Sequence, residues 1–263
     1  MPDITDYDSS GYDYTKYWKA RDYENAIEQR TLRRTLPKHG RHILDVGGGF
    51  GRLTEIYYPR FDRSTIFDYS KNSLKQVQST QKQKGWTNLN TVAGDLYHLP
   101  FADASFDCVI MIRVLHHLEQ PRLAIAELAR VLEPGGVLIL EMANKIHLKA
   151  TLKAWLTGHL RFRSDLAPVQ RATINNQQST INRKPETKQA GIFYNFHPRY
   201  IQQLLESHHF VVEQKRSVSN LRLPLLKKIF PVLVLESLDT ALQPFFTLID
   251  GGPSIWFKCQ KIR

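Results

Sequence analysis

Short apolar runs and segments of helical period alternate along most of the chain. Ala20, Tyr23 and Ile27 recur at helical spacing with Arg and Glu between them, which predicts an amphipathic helix over 16–36, ended by Pro37 and Gly40. Residues 42–46, 64–68, 89–93 and 106–112 read as four strands. The fourth, Phe-Asp-Cys-Val-Ile-Met-Ile, is apolar enough to be buried on both faces. Helical segments lie between them. One starts at Arg52 and is stopped by Pro59, one spans 72–84 with Asn72 as a candidate cap, and one spans 121–132. Pro134-Gly135-Gly136 then turns the chain into a fifth strand, 137–141. Strand and helix alternate without a break over 42–143, which predicts an α/β fold with a parallel sheet covered by helices on both faces.

The rhythm breaks at 146–190. Leu148, Leu152, Trp155, Leu156 and Leu160 predict one amphipathic helix, and a stretch rich in Asn, Gln, Thr and Arg follows over 170–190. This reads as an insertion over the sheet. Residues 198–206 are again helical, 210–213 and 254–259 read as late strands, and 221–249 are strongly apolar with interruptions at Pro224, Pro231 and Pro244.

Charge changes this picture in one place. The 263-residue chain carries a net +11. Residues 41–145 are nearly neutral, with twelve basic against eleven acidic side chains. Residues 146–190 carry eight basic (Lys149, Lys153, Arg161, Arg163, Arg171, Arg183, Lys184, Lys188) against two acidic (Asp165, Glu186), a net of +6. More than half of the excess therefore sits on the insertion, where it suits an anionic partner or surface. Two cysteines, Cys108 and Cys259, cannot build a disulfide framework or a four-cysteine zinc site, so both read as buried thiols and no metal is expected. The acidic, polar first ten residues do not read as a secretory signal, and no run approaches about eighteen apolar residues. A cytoplasmic location is the expectation.

The candidate chemistry centres on Asp45-Val46-Gly47-Gly48-Gly49-Phe50-Gly51, between the first strand and the first helix of the alternating core. Glycines there let the chain turn tightly and let a ligand lie against the main chain. A dinucleotide fingerprint fails, because the third glycine position falls on Arg52 or Thr54, and no Gly-Lys-Ser/Thr follows for a phosphate loop. D-x-G-x-G-x-G does fit. With Asp68 ending the second strand, Gly94-Asp95-Leu96 after the third and Glu133-Pro134-Gly135-Gly136 before the fifth, it resembles the class I S-adenosylmethionine-dependent methyltransferases. The resemblance covers 42–143, and the late strands match the antiparallel pair that ends such sheets.

The resemblance implies a Rossmann-like, seven-stranded, mostly parallel sheet with an inserted cap. Residues 1–40 would form an N-terminal helical lid rich in aromatics (Tyr12, Tyr14, Tyr17, Trp18, Tyr23), 41–145 and 191–263 the core, and 146–190 a basic insertion or cap. It implies S-adenosyl-L-methionine as cofactor, held by Asp45, Gly47, Gly48, Gly49, Gly51, Asp68, Tyr69, Asp95, Leu96 and Arg113. Asp68 would take the ribose hydroxyls and Asp95 the adenine amino group, with a backbone N–H from Leu96. Leu115-His116-His117 follows the fourth strand, and His116 or His117 is a candidate general base.

The chain has no Asn-Pro-Pro-Tyr-type motif and no Pro-Cys nucleophile pair, which leans away from nucleic-acid bases. The leading expectation is methyl transfer to O, N or C of a small-molecule or lipid-like acceptor, with 221–249 as an apolar wall of the acceptor site. Three alternatives stand beside it: an RNA or protein methyltransferase docking through the basic insertion, an enzyme in peripheral contact with a membrane, and a cofactor-binding protein without catalysis.

Overall fold

The computed structural model describes residue 8, residues 15–170 and residues 193–263. Its strands are β1 (Gly40–Val46), β2 (Phe61–Asp68), β3 (Leu89–Ala93), β4 (Phe106–Met111), β5 (Leu132–Ala143), β6 (Val169–Gln170), β7 (Tyr194–Asn195), β8 (Phe210–Val218) and β9 (Ser254–Lys261). Its helices are α1 (Thr15–Trp18), α2 (Asp22–Thr35), α3 (Thr54–Tyr57), α4 (Lys71–Lys84), α5 (Pro121–Val131), α6 (Leu148–Leu156), α7 (Pro198–Ser207), α8 (Pro224–Ile229) and α9 (Val232–Leu248).

Seven strands form one sheet in the order β3-β2-β1-β4-β5-β9-β8, and β6 and β7 pair separately. β1 to β5 run parallel, while β9 is antiparallel to both β5 and β8. Successive strand residues point to opposite faces, so each central strand feeds two cores. Leu44, Val109, Leu138 and Leu140 face α5 and α7, whereas Ile43, Cys108, Ile110 and Ile139 face the side covered by α2 and α4. Burial on both sides is why these strands read as continuous apolar runs. After β3 the chain crosses over and returns on the other side of β1. The carboxyl ends of β1 and β4 therefore flank a topological switch point, where open α/β sheets leave a crevice.

Several expectations need correction. The single helix over 16–36 is two helices, because the chain turns at residues 19–21, where Arg21 N–H donates to Trp18 O (3.0 Å). Asn72 does not cap α4. Ser70 does, its Oγ accepting from Ser73 N–H (3.0 Å), because β2 leads straight into the helix two residues earlier. Pro134-Gly135-Gly136 is not a turn before a strand but an irregularity inside β5, where the pairing shifts from Phe106↔Leu132 to Cys108↔Val137. Pro244 lies within α9 rather than interrupting it. Tyr12, Tyr14 and residues 171–192 of the insertion lie outside the described residues.

Candidate functional site

A cleft opens at the switch point. It is lined by the β1 end and glycine loop (Asp45, Gly47, Gly48, Gly49), the β2 end (Asp68, Tyr69), Gly94 and Leu96 after β3, and Arg113, Val114 and His117 after β4. Trp18 of α1 closes one side. Including its open mouth the space is about 1040 Å³, large enough for a nucleoside-sized ligand.

The glycine loop has its shape for two distinct reasons. At Gly47, φ is +69° and a Cβ would stand 2.3 Å from Val114 Cγ2, so the close approach of the β4 exit demands glycine. At Gly49, φ is +55° and a Cβ would meet only Asp68 Oδ2 at 4.0 Å, because that side faces the cleft. Gly49 N–H donates to Asp68 Oδ2 and Ser70 N–H to Asp68 Oδ1, both at 2.8 Å. Burial raises the Asp68 carboxyl above its usual range against these two amides, and Asp8 adds to the rise. Asp45 lies deeper. Burial pushes it up to about 7, although Tyr57 OH donates to its Oδ2 (3.1 Å).

Opposite the loop stands a buried ion cluster. Glu28 of α2, with no side-chain exposure, accepts from Arg52 Nη2 (2.7 Å) and Arg113 Nη1 (2.9 Å). Burial acts to raise the Glu28 carboxyl, but the Arg113 and Arg52 guanidiniums outweigh it and hold it below the usual range. Arg113 holds φ +63°, a backbone state that non-glycine residues seldom adopt, and its N–H donates to Glu141 Oε2 (2.8 Å). Its Nη2 also reaches Tyr17 OH (2.5 Å), and the Arg52 guanidinium lies 3.8 Å from the Trp18 ring centroid. One carboxylate thus joins α2, the loop after β1 and the loop after β4, and the two arginines carry α1.

Residues 44–140 match the family model of a methyltransferase domain. Over that span the chain is similar to methyltransferase domains. An O-methyltransferase, cnsE, of Penicillium expansum is 34% identical over 145 residues, 49% of this chain and 50% of that one. The ubiquinone/menaquinone biosynthesis C-methyltransferase UbiE of Paracoccus denitrificans is 30% identical over 148 residues, 55% and 57% of the two chains. The chain thus spans about half the length of these curated relatives. An S-adenosylmethionine-dependent methyltransferase of Mesorhizobium loti shares the fold with a TM-score of 0.59 at 16% identity, covering 91% of this chain and all of that one. S-adenosylmethionine is the cofactor of this domain class.

The structure brings Asp45, Gly47, Gly48, Gly49, Asp68, Tyr69, Leu96, Arg113 and His117 of the matched span to one cleft. Three candidates stand outside its lining. Gly51 packs inward, where a Cβ would lie 3.0 Å from Thr54 Oγ1 and 3.3 Å from Val77 Cγ2. The Asp95 carboxylate accepts from Tyr97 N–H (2.8 Å), so it closes a local turn. His116 is buried, its ring 4.2 Å from that of His117 and 4.5 Å from that of Phe193. The apolar wall expected from 221–249 is also absent from the cleft, because α8 and α9 lie on the outside of the sheet, against α2 and β8. Sequence reasoning missed Glu28 and Arg52. Glu28 precedes its two partners by 24 and 85 residues, and no local pattern links them.

Proposed function

We propose that the protein transfers a methyl group from S-adenosylmethionine to a small-molecule or lipid-like acceptor. The observation that carries this reading is the open face of Gly49 set against the Asp68 carboxylate at the rim of a largely apolar cleft. A nucleoside needs this combination: main chain without a Cβ for close approach, an acid for the ribose hydroxyls, and apolar walls for the base. Phe67, Leu96, Ile112 and Leu118 supply the walls. Asp68 would hold the ribose and the glycine loop, with Asp45 behind it, the amino-acid end. Tyr69 would cover the mouth. Bound there, the cofactor supplies an electrophilic methyl carried on a sulfonium.

The chain's own part is orientation, exclusion of water and proton removal. Trp18, with Arg52 behind it, would shield the sulfonium side. Of the two histidines, His117 has the position for a general base, since it lines the cleft, while His116 would fix its ring by packing. The O- and C-methyltransferase names of the relatives support a small acceptor.

Titration calorimetry with S-adenosylmethionine tests the cofactor assignment. Asp68→Ala should weaken binding by roughly tenfold to a hundredfold, as expected for loss of charged hydrogen bonds of about 1.5–3 kcal/mol. Unchanged affinity would rule out Asp68 as the ribose ligand. A labelled-methyl assay across phenols, quinols, amines and lipids then identifies the acceptor.

A further inference from the structure

The outer helix α9 is built inside out. A surface helix ordinarily buries its apolar stripe and shows polar residues to solvent. In α9 the side facing the protein carries one core residue, Leu235, and beside it the polar Glu236, Asp239 and Gln243. Glu236 pairs with Arg30 (3.0 Å), Asp239 Oδ1 accepts from Asn220 N–H (2.9 Å), and Gln243 Nε2 donates to Ser217 O (3.0 Å). The outward side carries Leu233, Val234, Leu238, Leu242, Phe245 and Leu248, with Leu233 76% and Leu248 83% exposed. Leu225 and Ile229 of α8 are exposed beside them.

The insertion helix α6 is also exposed along its apolar residues. In α6 only Ala154 is buried, while Trp155 and Leu156 are 65% and 70% exposed. α6 starts against the end of α9: Leu148 N–H donates to Gly251 O (2.8 Å) and Arg163 Nη2 to Ile249 O (3.0 Å). The start of α6 therefore lies beside the end of α9, and both helices expose apolar residues. Such a surface exceeds what scattered exposed leucines on a monomer require.

Charge identifies the occupant. Lys149 and Lys153 stand among the apolar residues of α6, Arg161 follows five residues after that helix, and Lys228 lies on α8. None of these four forms a salt bridge among the described residues. No Asp or Glu occurs between Glu141 and Asp165, and the two acids of α9 are both turned inward. A second copy docked through the same patch would set these cations against their own symmetry mates. We infer that α6, α8 and α9 form a docking surface for an anionic phospholipid bilayer. The leucines and Trp155 enter the headgroup boundary, and the lysines meet the lipid phosphates. No described helix is long and apolar enough to cross a membrane, so the contact is peripheral.

The test is co-sedimentation of the full chain with phosphatidylcholine vesicles, with and without phosphatidylserine. The wild type should pellet with the phosphatidylserine vesicles and little with phosphatidylcholine alone. K149E/K153E should partition about tenfold less or weaker still, and L233S/L248S should lose binding while keeping the wild-type circular-dichroism melt. Those leucines are outside the core, so folding survives their replacement. Failure of the wild type to bind either vesicle overturns the inference. So does a dimer in light scattering that L233S/L248S dissolves, which would make a second copy the occupant. The readout is independent of methyl transfer, so the assignment of the cleft is unaffected by either result.

Discussion

Asp45 sits in an environment that its local sequence does not reveal. It lies one residue before the end of β1, carries almost no exposed surface, and is pushed up to about 7 because burial disfavours its charge. The sign of the consequence is fixed by linkage. The unfolded chain releases this proton near the usual carboxylate value, while the folded chain keeps it to about pH 7. Between those values the folded state binds more protons, so stability falls as pH rises from about 4 to 7 and is level above. Asp45→Asn should remove that slope. In urea unfolding, the variant should gain about 2–4 kcal/mol relative to wild type on going from pH 5 to pH 8. Parallel pH profiles for the two proteins would show that Asp45 is ionised throughout. Its motif position is legible in the sequence. Its protonation is not, since that depends on Tyr57 and on the strands packed around it.

At the scale of elements, the decisive object is the Glu28 cluster. A 14-residue helix, α2, contributes one buried carboxylate, and that carboxylate holds two loops of the cleft in register. Removing it would leave Arg52 and Arg113 facing each other with about a tenth of their side chains exposed. Breaking a buried pair in this way costs about 3–5 kcal/mol. Glu28→Ala should therefore lower the melting temperature strongly, and Glu28→Gln less, since the amide oxygen still accepts one bond. Both should weaken S-adenosylmethionine binding, because Trp18 loses its support through Arg52. A melt for either variant within a degree or two of wild type would show that the cluster is not a structural lock. Helix and strand positions were largely readable from periodicity, and the errors fell at junctions: the turn after Trp18, the Ser70 cap and the irregularity in β5. Junctions are set by a few hydrogen bonds and by neighbouring elements, so single-chain periodicity carries little information about them.

For the whole molecule, the sheet order places Cys108 in the middle of β4 and Cys259 in the edge-adjacent strand β9. Both thiols are fully buried, and burial raises both, Cys259 to about 12. A thiol reagent should find neither in the native protein and two in urea, with Cys108 reacting only as fast as global unfolding exposes it. Rapid native labelling of Cys108 would mean that the central strands open locally.

The α/β class, the parallel core and the glycine loop were determined by sequence alone, because each rests on local spacing: doubly buried strands read as apolar runs, and the tight turn needs glycine where φ is positive. Tertiary structure alone decided which residues of the motifs reach the cleft. It set Asp95 Oδ1 on Tyr97 N–H, packed Gly51 against Thr54, placed His117 in the cleft lining with His116 buried beside it, and recruited Glu28 from another part of the chain. It also reversed the meaning of the apolar segment 221–249. Hydrophobicity is visible in a sequence, but which side of a helix faces the protein depends on what packs against it, and α9 turns its polar residues inward.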